Sequence, residues 1–337
     1  MAEKVRILSI DGGGIRGIIP ASVLAELERR AGKPVAELFD LIAGTSTGGI
    51  LALGLTLDGG EGKPRHSAAD LRALYAERGA EIFPPLRPSW LRTARGIAVE
   101  RYPAGPLEDV LKAYLTDASG AEARLKDALK PVLVPAYEIE LRQPFFFRSV
   151  RAAAEPELYD FPVWEAARAT SAAPTYFEAA RLRSPDQSDP FALVDGGVFA
   201  NNPSMCAFAD ARARRHEEAH PSVAPEDRLR AADMVMVSLG TGELTKRLPW
   251  EEARDWGFYG WGRQLLGLVM DGVSDTADFQ CRQLLGDAYH RFQTRLDIGT
   301  DGLDDASPRT VEALAERAKA LVAQSGERLD RVCELVA

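Results

Sequence analysis

Apolar and polar positions along the chain fall into two alternating rhythms. Val5–Ile10 is a short apolar run that reads as a buried strand, stopped by Asp11 and three glycines. From Ile18 to Arg30 the period changes: Ile19, Val23, Leu24 and Leu27 share one face of an expected amphipathic helix. Leu38–Ala43 reads as a second strand, Gly44–Gly48 as a tight turn, and Gly49–Leu57 as a helix apolar on most sides and therefore buried. Strand, glycine turn and helix, twice over, predict a parallel sheet covered on both faces.

Farther on, Asp58–Ser67 is a Gly/Pro-rich loop, and Ala68–Gly79, Pro106–Leu115, Ala121–Leu129 and Val163–Ala169 read as helices. Val132–Glu138, Pro144–Ser149, Phe191–Val194 and Met234–Leu239 read as strands, the last two again running into glycine turns. Ser184–Pro190, His216–Arg228 and Gly299–Ser307 are polar and loop-like, and Phe83–Tyr102 has no assignable period. Ser307-Pro308 is a good cap and first-turn pair for a last helix burying Val311, Leu314, Leu321 and Val322. No shift in composition forces a second domain. Residues 1–300 are expected to form one catalytic-type domain, with 301–337 as a helix packed on it.

Composition narrows the class without choosing within it. With 337 residues, 46% hydrophobic and 27% charged, the chain can bury a large core. A net charge of −9 disfavours indiscriminate binding to nucleic acid, so no nucleic-acid partner is expected. Three scattered cysteines and no leader-like start predict a reducing, cytoplasmic setting. No run of about 18 apolar residues is present, so any lipid contact is expected to be peripheral.

Candidate chemistry lies at the glycine turns. Gly44-Thr45-Ser46-Thr47-Gly48 matches G-x-S-x-G where a strand gives way to a helix. A sharp turn there lifts the serine hydroxyl clear of the sheet, and small neighbours let the backbone bend. The plain alternative is a small-residue turn with an idle serine. Asp11-Gly12-Gly13-Gly14-Ile15-Arg16-Gly17 offers successive N–H groups to an anion or a developing oxyanion. Its Gly12, Gly14 and Gly17 also fit the dinucleotide fingerprint, which keeps a nucleotide-binding oxidoreductase as an alternative. Against that, Asp11 would repel a pyrophosphate, Glu28 lies within a helix, and Asp40 begins a strand instead of ending one. Asp195-Gly196-Gly197, with Asn201-Asn202-Pro203 behind it, ends a strand where a carboxylate can reach a cleft, or else bonds its own backbone in an Asx turn.

Together, in this order, these segments resemble the patatin-like phospholipase family. Thr170–Phe177, Ala200–Pro203 and Ser238–Gly242 add to the resemblance, which covers about Val5 to Gly242. It implies a three-layer α/β/α sandwich with a central, mostly parallel sheet. It implies Ser46 as nucleophile and Asp195 as its base. Gly12, Gly13 and Gly14 would form an oxyanion hole supported by Arg16, while Gly44, Thr45, Thr47 and Gly48 would shape the turn. Gly196, Gly197 and Asn201 would support the aspartate. The implied activity is hydrolysis of fatty-acyl esters in phospholipids or lysophospholipids, with no cofactor and no metal. Some bacterial members are defence effectors switched on by a cyclic nucleotide, a role the sequence does not assign here.

None of His66, His216, His220 and His290 follows a strand at a glycine turn, so a serine–aspartate dyad is expected in place of a triad. His216-Glu217-Glu218-Ala219-His220 fits the zinc-protease pattern but has almost no apolar side and is cut by Pro221; a solvated helix end is the expectation. Two clusters are candidates for lipid contact. One places Trp90 and Leu91 among Arg87, Arg92, Arg95 and Arg101; the other runs from Trp250 through Trp256, Phe258, Tyr259 and Trp261 to Leu265, Leu266, Leu268 and Val269. For the second, core packing or a subunit contact is the favoured expectation. A lipid-binding protein without catalysis remains the other alternative, and head group, activating ligand and homo-oligomer formation are left open.

Overall fold

A computed structural model describes residues 4–84, 100–188, 190–218, 230–244, 248–296 and 302–337. In chain order the first half comprises β1 (Val5–Ile10), α1 (Ile18–Ala31), α2 (Val35–Leu38), β2 (Leu41–Gly44), α3 (Thr47–Leu55), α4 (Ala68–Ile82), α5 (Gly105–Tyr114), β3 (Val132–Glu138), β4 (Gln143–Arg148), α6 (Ser149–Ala154), α7 (Pro156–Tyr159) and α8 (Val163–Thr170). The second half comprises β5 (Ala180–Arg183), β6 (Pro190–Asp195), α9 (Gly197–Ala200), α10 (Ser204–Glu218), β7 (Met234–Leu239), β8 (Glu243–Leu244), α11 (Trp250–Ala253), α12 (Gly257–Leu285), β9 (Tyr289–Phe292), β10 (Arg295–Leu296), α13 (Pro308–Gln324) and α14 (Gly326–Val336).

The main sheet has the order β5-β6-β3-β2-β1-β7-β9, with β4 also on β3. From β3 to β9 neighbours are parallel, while β4, β5 and β6 add antiparallel pairs. Side chains alternate between the faces with the period of two that a pleated strand imposes. Leu8, Ile10, Ile42, Val134, Val235 and Val237 join a core with α1, α3 and α4. Ile7, Leu41, Ala43, Leu133, Met234 and Met236 face the other way, onto α10 and α12. Two cores around one sheet make a three-layer α/β/α sandwich with a mostly parallel centre.

Register explains how two distant turns meet. Leu133 pairs with Ala43 on one edge of β3 and with Arg148 on the other. Ala136 pairs with Asp195 and with Phe145. Since β4 runs along one edge throughout, β2 and β6 share the opposite edge. They approach from opposite directions, so the end of β2 and the end of β6 come face to face beside Pro135.

Several expectations need correction. Ala121–Leu129 is not a helix: Glu122 and Arg124 make isolated bridges, and only Leu125–Asp127 coils into a 3-10 turn. Arg124 and Lys126 turn inward onto the buried Asp160, which pulls that stretch away from a helical path. The chain after Ser307 forms two helices. Leu314, Ala318 and Leu321 of α13 and Leu329, Val332 and Val336 of α14 all enter the core beside α1. The Trp90–Leu91 cluster lies outside the described residues, as does most of His216–Arg228.

Candidate active site

Ser46 stands at the bend between β2 and α3 with φ 54° and ψ −122°, a backbone state that favours glycine. Holding a side chain there costs on the order of 1–3 kcal/mol and persists only where the surroundings over-determine it. They do so here. A Cβ on Gly44 would stand 2.0 Å from the Gly48 carbonyl oxygen, and one on Gly48 would stand 2.2 Å from that of Ile10, so only glycine lets β1, β2 and α3 close up. The Thr45 hydroxyl donates to the Ala200 carbonyl at 2.6 Å. Thr47 pairs with the buried Tyr75 hydroxyl at 2.5 Å. The Ser46 N–H donates to Thr170 Oγ1 at 2.9 Å, and that hydroxyl donates to the Pro135 carbonyl at 2.6 Å. Thr170 thus fills the gap on β3 between the two strand ends.

Asp195, at the other end of the gap, is 1% exposed. Its N–H donates to the Ala172 carbonyl at 3.0 Å. Oδ1 accepts the Gly197 N–H at 2.7 Å, which is the Asx turn weighed above. Oδ2 has no hydrogen-bond partner among the described residues. Burial pushes the carboxyl up to about 7; the Gly197 N–H and the nearby Ser46 hydroxyl pull the other way without undoing it. Ser46 and Asp195 line the same cleft.

The glycine loop forms the third wall, but not with every amide expected. Gly12 donates its N–H to the Asn201 carbonyl at 2.9 Å, so that amide is spent on the backbone and is removed from the oxyanion cradle. Gly13 and Gly14 line the cleft, and no hydrogen bond among the described residues engages their N–H groups. Thr47 opens α3, where a helix leaves its N–H without an internal acceptor. Gly13, Gly14 and Thr47 thus have N–H groups that no hydrogen bond among the described residues engages. Gly14 has φ +57°, and a Cβ there would meet the Leu303 carbonyl at 2.1 Å. Arg16 is buried and donates from Nε to the Gly13 carbonyl at 3.3 Å.

Beneath the loop, Asp11 takes a two-pronged grip from Arg291 on β9, at 2.8 and 2.6 Å. Burial pushes the Asp11 carboxyl up against the lowering effect of the Arg291 charge and hydrogen bonds, while the Asp11 charge and the fork raise the Arg291 pKa against its own burial. Arg291 and Thr170 were not singled out from the sequence. Thr170 opens one of the matching stretches, a signal that was present. Arg291 follows the long α12 and carries no local mark.

Ser46, Asp195, Gly13 and Gly14 line one cleft that is partly open to solvent. The remainder is apolar, with Ile50, Ile82, Phe83, Leu107, Phe177 and Met270. Neither His66 nor His290 lines it; His66 Nε2 lies 2.9 Å from the Tyr114 carbonyl oxygen. A strained serine at a helix start, an unpaired carboxylate oxygen and free amides at the head of an apolar slot are the parts that acyl transfer needs.

Residues 8–207 match the patatin-like phospholipase family. The chain is 35% identical over 296 residues to "Probable inactive patatin-like protein 9" of Arabidopsis thaliana, covering 86% of this chain and 72% of that one. It is 32% identical to "Patatin-like protein 1" of Oryza sativa subsp. indica, covering 97% and 83% of the two chains. Among solved structures it is similar to VipD from Legionella pneumophila, at 13% identity and a TM-score of 0.42, over 96% of this chain and 67% of that one. The match spans the glycine loop, the serine turn and the aspartate turn within one continuous stretch, and the chain belongs to the patatin-like phospholipase family.

Proposed function

We propose that the protein is a lipid acyl hydrolase that cleaves fatty-acyl esters of phospholipids or lysophospholipids through a Ser46–Asp195 dyad. The observation that carries this reading is the free Asp195 Oδ2, buried in the same cleft as the strained Ser46. An ordinary aspartate, with a pKa near 3.9, is a feeble base toward a hydroxyl. A carboxyl raised to about 7 is matched to neutral pH.

In the proposed reaction Asp195 accepts the Ser46 proton as Oγ attacks the ester carbonyl. The resulting oxyanion is held by the N–H groups of Gly13, Gly14 and Thr47; losing one such donor typically costs about 10²–10³ in rate. Asp195 then protonates the leaving alkoxide, and an acyl-Ser46 ester remains. Asp195 next takes a proton from water, whose oxygen attacks the acyl carbon, and the fatty acid leaves as the Ser46 hydroxyl is restored. The apolar slot suits the acyl chain.

Membrane contact belongs to the same proposal. Trp261, Leu265, Leu268 and Val269 lie on α12 at one helical stripe and are exposed, and the next residue, Met270, lines the cleft. This supports a bilayer-facing surface over the core-packing expectation for that cluster. Among the described residues no helix is long and apolar enough to cross a membrane. Three free cysteines fit a cytoplasmic setting.

The name of the 35% identical plant relative, "Probable inactive patatin-like protein 9", supports a second reading, a protein of this fold without turnover. One experiment separates them. A fluorophosphonate probe should label Ser46, and Ser46→Ala and Asp195→Asn should each abolish ester hydrolysis in a folded protein. Near-full activity in either variant, or no adduct at Ser46 in the wild type, would end the dyad reading.

A further inference from the structure

One side chain grips the serine turn by two bonds and comes from a helix that none of the glycine turns borders. Tyr75 lies on α4 and is 4% exposed. The Thr47 hydroxyl donates to Tyr75 Oη at 2.5 Å, and Tyr75 Oη donates to the Thr47 carbonyl at 3.0 Å. A single phenol thus closes a ring of two hydrogen bonds on the residue that follows the nucleophile. The glycine loop packs against that ring: a Cβ on Gly17 would stand 2.3 Å from Thr47 Oγ1 and 2.8 Å from Tyr75 Cζ. Tyr75 also lines the cleft, together with Ser46 and Thr47.

The phenol has no proton to spare for chemistry. Burial pushes it above its ordinary value and the Thr47 hydrogen bond opposes that by less, so Tyr75 stays protonated at neutral pH. It has one proton to donate, and the Thr47 carbonyl takes it, so Tyr75 is neither acid nor base for the reaction. What the two bonds do is fix Thr47. With its hydroxyl and its carbonyl both held, the residue has little room to rotate, and the direction of its N–H is set with it. That direction matters because two neighbouring amides are already engaged: Ser46 gives its N–H to Thr170, and Gly12 gives its N–H to Asn201. We infer that Tyr75 is a positioning residue: its hydroxyl holds the Thr47 N–H toward the oxyanion that forms when Ser46 attacks the ester. The role rests on the acyl-hydrolase reading. A fixed donor costs no reorganisation as charge develops, so a loosened Thr47 slows the chemical step without weakening the hold on substrate.

The test measures kcat and KM for a soluble ester, well below the unfolding transition, in wild type, Tyr75→Phe, Thr47→Val and the double variant. Tyr75→Phe keeps the ring that walls the cleft and removes both bonds. Its kcat should fall about 10–100-fold, short of losing a whole donor, with KM within about twofold of wild type. Thr47→Val removes one bond and should show the same split, with a smaller loss of kcat. Since the two side chains act as one unit, the double variant should lie within about threefold of Tyr75→Phe. A folded Tyr75→Phe whose kcat stays within about twofold of wild type overturns the inference. A loss carried by KM does so too, since Tyr75 would then serve only as a wall for the acyl chain, and so do strictly additive losses in the double variant. If Tyr75→Phe unfolds, an unchanged kcat in Thr47→Val overturns it. A wild type with no turnover and no fluorophosphonate adduct at Ser46 takes down the hydrolase reading and this inference with it, whereas a labelled, active wild type beside an unaffected Tyr75→Phe removes only the role of Tyr75.

Discussion

Ser46 and Asp195 are each held in a state the chain would not choose for stability alone. At φ 54° and ψ −122° a serine is strained and a glycine is at ease. Ser46→Gly should therefore raise stability by about 1 kcal/mol while removing turnover; denaturant unfolding beside an ester assay checks both, and a destabilised glycine variant would mean that the turn is not strained. Asp195 pays for burial in a pH-dependent way. Its folded pKa, about 7, lies above the unfolded value of 3.8, so the native state holds a proton that the unfolded state has released. Its contribution to stability is therefore full below the unfolded value and is lost as pH rises through 7, by on the order of 4 kcal/mol. Asp195→Asn keeps an acceptor for Gly197 and carries no charge. It should raise Tm clearly at pH 8 and hardly at pH 4. An equal gain at both would mean that the carboxylate is not under strain from burial. Both residues were legible in the sequence because their conformations demand small residues within two or three positions. Thr170 acts across the sheet on Pro135, and Gly12 gives its N–H to Asn201; neither partnership leaves a mark near the residue itself.

Elements of the sandwich were legible where a short apolar run is buried on both faces or a helical period buries one face. The runs Val5–Ile10 and Met234–Leu239 alternate between two cores, and their apolar character survives any neighbour. Harder to foresee were β9, only four residues long, and α12, whose exposed tryptophan and leucines blur the division between faces. Those two hidden elements support the glycine loop, since β9 carries Arg291 and α12 carries Ser274, which accepts from the Asn201 amide. Removing the guanidinium would leave Asp11 buried and uncompensated at the start of the loop. Arg291→Met should then cost about 3–5 kcal/mol, and Asp11→Asn added to it should recover a large part, because a neutral pair carries no stranded charge. Urea unfolding of the two single variants and the double variant forms the cycle. Strict additivity would show that the pair is not coupled, and the loop would need another support.

At the scale of the molecule, the proposed activity requires an acidic protein to reach an ester inside a bilayer. With a net charge of −9, long-range attraction to anionic lipid cannot be the driving force. The exposed stripe of α12 offers another. Trp261 is 45% exposed, Leu265 55%, Leu268 40% and Val269 36%, at spacings of i, i+4, i+7 and i+8. Each large apolar side chain buried in lipid contributes about 1.5–3 kcal/mol. Replacing Leu265 and Leu268 together with glutamate should lower hydrolysis of phospholipid in zwitterionic vesicles at least tenfold, by order of magnitude, and leave hydrolysis of a soluble short-chain ester within about twofold. Binding of the wild type to those vesicles should depend weakly on salt, since little of it is Coulombic. If the double variant loses both activities in parallel, the stripe supports the site from within. If it keeps both but changes from dimer to monomer in sedimentation, the leucines meet a second copy of the chain instead. Only a selective loss on vesicles assigns the stripe to the membrane, and it would place the cleft mouth, through Met270, one residue from the lipid surface.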